Sequence, residues 1–135
     1  MIYVTRREVF AASHRLYNSE ISEEENLNLY GKCSNKYGHG HNYTLEVIVA
    51  GTINPKTGYL IDLKILKDII REEIINYVDH KHFNFDVPFM TNIIPTSENI
   101  ATSFWNRLVN KLPSGKLYSV KLYETENNYV EYKGE

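Results

Sequence analysis

The sequence predicts an α+β fold: a four-stranded antiparallel sheet, with two long helices between strands two and three packed on one of its faces. Three observations predict it. Segments of alternating apolar and polar residues lie near both ends of the chain. Two segments with apolar residues at helical spacing lie between them. Turn-forming residues separate each segment from the next. The order β-β-α-α-β-β makes two hairpins flanking two helices. With 135 residues and no repeat or linker, a single domain spanning 1–135 is expected.

The first strand runs from Ile2 to His14, with Phe10, Ala12 and His14 on one face. The polar stretch Asn18 to Lys36 follows. Within it Ser22-Glu23-Glu24-Glu25 has capping-box spacing and Gly31 suits a helix stop, so a short helix is expected there. Its acidic run reads as a solvated helix start. The second strand runs from about Tyr37 to Ala50, and Asn54-Pro55-Lys56-Thr57-Gly58 is a turn.

Asp62 is an N-cap for a helix whose apolar stripe includes Leu63, Leu66, Ile70 and Ile74, ending near Asp79-His80. Thr96 or Ser97 caps a second helix, with stripe Ile100, Phe104, Leu108 and Leu112, stopped by Pro113 and Gly115. Leu117 to Glu124 and Tyr129 to Lys133 are the closing strands, joined by a turn at Glu126-Asn127-Asn128. Such a sheet has two edges with unpaired backbone groups, a physical motive for edge-to-edge assembly.

Net charge of -2 and a pI near 6.2 give no electrostatic reason to expect nucleic acid or an anionic membrane as partner. No apolar run is long enough to span a bilayer, and no secretory leader pattern is present. One cysteine cannot make an internal disulfide, so a cytoplasmic location is expected. Eleven tyrosines fit a sheet-rich core and an association surface.

The segment Cys33-Ser34-Asn35-Lys36-Tyr37-Gly38-His39-Gly40-His41-Asn42-Tyr43 carries the chemistry. In a strand, residues two apart share a face, so His39 and His41 can bind one metal without distorting the backbone. That face continues as Tyr43, Leu45, Val47 and Val49, which is core-facing. If the first two strands pair, His14 meets both histidines. Three imidazoles with an open fourth position make the catalytic rather than the structural zinc pattern. An ordinary thiol is mostly protonated at neutral pH, and a nearby divalent cation would turn Cys33 into a base; a fourth-ligand role for it stays open. In Asp79-His80 a carboxylate can orient an imidazole, although a polar helix end accounts for the pair equally well. His82 has no evident partner and is expected at the surface. Glu124 ends the apolar row Tyr118, Val120, Leu122. A carboxylate there should face paired donors, and the adjacent N–H groups of a guanidine-like heterocycle edge suit it. Glu98, in a first helical turn, has an ordinary role toward the helix dipole.

Phe10-Ala11-Ala12-Ser13-His14-Arg15-Leu16, Cys33-Ser34-Asn35, Gly38-His39-Gly40-His41-Asn42-Tyr43, Asp79-His80-Lys81, Ser97-Glu98-Asn99, Tyr123-Glu124-Thr125-Glu126-Asn127-Asn128 and Tyr132-Lys133-Gly134-Glu135 follow one another in an order that resembles the 6-pyruvoyltetrahydropterin synthase family, its animal-type members most closely. The resemblance implies the tunnelling fold (T-fold) and a homohexamer formed as a dimer of trimers. It also implies a zinc-dependent lyase of tetrahydrobiopterin synthesis, converting 7,8-dihydroneopterin triphosphate to 6-pyruvoyltetrahydropterin and triphosphate. By position it makes His14, His39 and His41 the Zn2+ ligands and Cys33 the proton-abstracting base. Asp79 and His80 would complete the proton relay across a subunit interface. Glu124 would anchor the pterin, with Thr96, Ser97 and Glu98 as further pterin contacts. Arg15, Lys32 and Lys36 lie near the motifs without individual assignments.

Three other readings compete. The 6-carboxytetrahydropterin synthases of the queuosine pathway share fold, zinc site and substrate, but are expected to carry the cysteine closer to His-Gly-His; here five residues, Ser34 to Gly38, intervene. A non-catalytic zinc or pterin-binding module leaves Cys33 and Asp79-His80 without purpose. A zinc hydrolase needs a carboxylate base beside the metal, and none is evident on the metal strand.

Overall fold

In the computed structural model, which describes residues 1–135, the expected elements form with one addition. They are β1 (Ile2–His14), α1 (Glu23–Tyr30), β2 (His39–Gly51), α2 (Leu63–Ile70), α3 (Asn76–Val78), β3 (Lys81–His82), α4 (Ser97–Leu108), β4 (Lys116–Tyr123) and β5 (Tyr129–Tyr132). The sheet therefore has five strands, ordered β3-β1-β2-β4-β5, and not four. The added strand, β3, lies between the helices in sequence and pairs parallel to β1 at Ala12 and Ser13. Two residues are too short a run to show alternation, so this strand has no signature in the sequence.

Side chains cap the helices as their chemistry requires. Ser22, Asp62 and Thr96 each accept a hydrogen bond from a backbone N–H in the first turn. The long helix is not uniform: a π-helical segment, Arg71–Ile75, separates α2 from α3. Helix α4 stops at Leu108, short of Leu112.

Leu66, Ile70 and Ile74 from the first helical run, and Ile100, Phe104 and Leu108 from α4, bury against Phe10, Tyr43, Leu45, Val47, Val120 and Leu122 of the sheet. These side chains leave water almost completely, each contributing about 1.5–3 kcal/mol of hydrophobic stabilisation. The apolar row expected on β4 is corrected at one position. Ile48 faces Ser119 and Val49 faces Leu117, so Tyr118 is the extra residue of a β-bulge. The bulge moves Tyr118 out of the core row, and Leu117 takes its place.

Candidate active site

Strand register brings the three histidines together. In the β1–β2 ladder His14 is opposite His39, Ala12 opposite His41 and Phe10 opposite Tyr43. All these side chains point toward the helices, so His41 lies diagonally across from His14. Ring centroids are 4.8 Å apart for His14–His39, 5.1 Å for His14–His41 and 4.8 Å for His39–His41. The three planes are steeply inclined to one another, at 65°, 82° and 82°. Tyr43 stacks on Phe10 beneath them at 5.0 Å, forming a rigid apolar floor.

Glu124 completes the cluster. One ligand atom from each of His14, His39, His41 and Glu124 lies within 4.8 Å of all the others. Glu124 Oε1 stands 3.0 Å from His41 Nε2, yet this nitrogen has no aligned hydrogen-bond partner. The proximity is therefore electrostatic rather than a directed N–H···O bond. The other carboxylate oxygen, Oε2, accepts a hydrogen bond from Ser97 Oγ at 2.7 Å.

The residues fit a divalent cation. His14 is 1 % exposed, and its Nδ1 is 2.7 Å from the Pro95 carbonyl oxygen. A carbonyl only accepts, so Nδ1 carries the proton and Nε2 offers its lone pair to the cluster. That Nε2 is buried without a hydrogen-bond partner, as is Nε2 of His41. Burial lowers the pKa of His14, partly opposed by the Pro95 hydrogen bond and by Glu124. Burial likewise lowers His41 against the opposing charge of Glu124. Both shifts favour neutral imidazole, the form that ligates metal.

The remaining expected residues are placed as follows. Cys33 lies in a turn of 3₁₀ helix, Gly31–Ser34, and is partly buried. It is outside the ligand group, where Glu124 is the fourth member. Asp79 and His80 pair at 3.0 Å on the exposed edge of the sheet. Asp79 Oδ1 also accepts the Ala11 N–H, and His80 adopts a left-handed backbone. This pair is not brought to the cluster of its own chain. Thr96 is committed to capping α4, while Ser97 is turned inward. Glu98 is exposed in the first turn. His82 is not a free surface residue as expected: its ring lies against Gly38, and its Nε2 is buried. The Pro95 carbonyl was not foreseen, because an irregular segment carries no periodicity to place it.

A sheet with helices packed on one face, carrying at the β1–β2 end three histidines and a carboxylate that could hold a metal ion, defines a class of protein with a candidate metal centre. Residues 3–135 match the family model described as 6-pyruvoyl tetrahydropterin synthase, and the chain belongs to that family of enzymes. It is 52% identical over 132 residues to the 6-pyruvoyl tetrahydrobiopterin synthase of Pongo abelii, covering 98% of this chain and 91% of the relative. The solved structure of Caenorhabditis elegans 6-pyruvoyl tetrahydropterin synthase superposes with a TM-score of 0.93 at 36% identity, covering 99% of this chain and 96% of that one. A more distant relative, the 6-carboxy-5,6,7,8-tetrahydropterin synthase of Rickettsia felis, is 33% identical over 150 residues, covering 97% of this chain and 99% of the relative.

Proposed function

We propose that the chain converts 7,8-dihydroneopterin triphosphate to 6-pyruvoyltetrahydropterin and triphosphate, with Zn2+ held by His14, His39 and His41. The observation that carries this is the convergence of three imidazoles on one point beside a carboxylate that has its own hydroxyl donor. When bound, zinc supplies Lewis acidity to a substrate hydroxyl oxygen, which acidifies the neighbouring C–H.

The chain's own residues do the rest. Cys33, as the base, takes the proton from the side-chain carbon. Glu124 receives the amino and ring N–H groups of the pterin, a bidentate match for a carboxylate. Ser97 holds one of its oxygens in place for that contact. Asp79 orients His80 for proton transfer. The exposure of that pair, and its separation from its own cluster, support a site completed by a neighbouring subunit in a homohexamer. No helix is long and apolar enough to cross a membrane.

Anaerobic incubation of the zinc-loaded chain with 7,8-dihydroneopterin triphosphate, followed by mass spectrometry, tests this reading. The expected products are triphosphate and a pterin with a pyruvoyl side chain. A carboxylated pterin with acetaldehyde assigns the chain to the 6-carboxytetrahydropterin reaction, and unchanged substrate leaves a binding module.

A further inference from the structure

We propose that Asn84 is a positioning residue for the Cys33 thiol, acting through the backbone and side chain of Arg15; the inference rests on Cys33 being the base. The thiol's loop has little regular structure to fix it. It spans one 3₁₀ turn bounded by Gly31 at φ 57 and then runs to Gly38 at φ 74, both left-handed. Two hydrogen bonds hold the turn to the body of the protein. The Leu16 N–H donates to the Cys33 carbonyl at 2.7 Å, and Arg15 Nε donates to the Ser34 carbonyl at 2.7 Å.

Arg15 and Leu16 lie beyond the end of β1, so the sheet ladder no longer holds them. Asn84 does so instead. Its Oδ1 accepts the Arg15 N–H at 2.8 Å, and its Nδ2 donates to the Arg15 carbonyl at 2.9 Å. The Phe83 N–H donates to the Ser13 carbonyl at 2.8 Å. The Asn84 amide thus stands in for a backbone peptide and extends the β3–β1 pairing beyond the strand. Only an amide offers a donor and an acceptor at that spacing. A carboxylate lacks the donor, and an aliphatic side chain lacks both.

His82 sets Asn84 in turn. Its Nδ1 accepts the Asn84 N–H at 3.2 Å, which leaves the ring proton on Nε2, facing the loop. A Cβ on Gly38 would lie 2.5 Å from the His14 carbonyl oxygen and 2.9 Å from His82 Nε2. Gly38 is therefore closed against both the end of β1 and His82. A chain of contacts runs His82, Asn84, Arg15, Cys33, and it ties the thiol turn to the segment that follows Asp79-His80.

Since Cys33 is the chain's single cysteine, its alkylation by iodoacetamide reports the thiol turn without needing substrate. The test compares zinc-loaded wild type with Asn84→Ala and Asn84→Asp. It measures zinc content, melting temperature, kcat, KM and the pH profile of alkylation. Asn84→Asp keeps size and acceptor, so it serves if Asn84→Ala does not fold.

For Asn84→Ala and Asn84→Asp, kcat should fall roughly tenfold or more, the scale of an ångström-level misplacement, with KM and zinc content within about twofold. The alkylation rate should change at least about threefold. Unchanged kcat and alkylation overturn the proposal. So does a loss of kcat that merely follows lost zinc or lost folded protein. If wild type itself does not turn over substrate, the functional reading falls, and the alkylation comparison still decides the role of Asn84.

Discussion

Ser97 Oγ donates to Glu124 Oε2 across 2.7 Å, joining the first turn of α4 to the end of β4. The bond fixes a carboxylate that is otherwise part of the histidine cluster, with Oε1 3.0 Å from His41 Nε2. This position suits either of two roles under the proposed function, ligand to the cation or anchor of the pterin. Glu124→Gln separates the two roles. An amide cannot accept two N–H donors on both heteroatoms, so KM should rise at least about tenfold, the cost of one charged hydrogen bond, while zinc content stays at wild-type level. A loss of zinc instead makes Glu124 a metal ligand.

Ser97→Ala removes the hydroxyl and leaves Glu124 Oε2 without its donor. A hydrogen bond to a charged group contributes about 1.5–3 kcal/mol, and the partial exposure of Glu124 places this one at the low end. The expected result is a rise in KM of several-fold to about tenfold together with a fall in melting temperature of several degrees, read from steady-state kinetics and calorimetry.

His39 shares the sheet face of His14, and their rings are 4.8 Å apart. In His39→Ala two imidazoles remain, and bound zinc measured by elemental analysis should fall well below one ion per chain. The β1–β2 ladder runs through the backbone, so the far-ultraviolet circular dichroism should be unchanged.

Burial lowers the pKa values of His14, His41 and His82, with carbonyl or carboxylate groups partly opposing it. Unfolded histidine titrates near about 6.5. Below that pH the unfolded chain takes up protons that the folded chain refuses, so stability is lost as pH falls toward the lowered folded values. Above it the contribution is constant. Melting temperatures of metal-free protein between about pH 5 and 8 should drop on the acid side of about 6.5. Zinc should steepen the drop, because ligation also requires neutral imidazole.

Much of the site was legible because strand parity is a strict rule. Phe10, Ala12 and His14 on one strand and His39, His41 and Tyr43 on the next had to share a face, and antiparallel pairing brought them together. The caps at Ser22 and Asp62 followed from local chemistry, and the third was narrowed to Thr96 or Ser97, of which Thr96 caps the helix. What escaped the sequence depends on long-range geometry. The pairing of Lys81–His82 with β1, the bulge at Tyr118 and the carbonyl of Pro95 beside His14 each arise from how distant segments meet. His82 looked partnerless because its neighbour, Gly38, is remote in sequence and has no side chain to suggest a contact.

The most direct test of the account is triphosphate release from 7,8-dihydroneopterin triphosphate by zinc-loaded wild type, by the metal-depleted protein and by zinc-loaded Cys33→Ala. Release should be rapid in the first, restored to the second by adding zinc, and reduced at least about a hundredfold in the third, the scale of losing a positioned base. Release at the wild-type rate by the metal-depleted protein or by Cys33→Ala would contradict a zinc site served by this thiol.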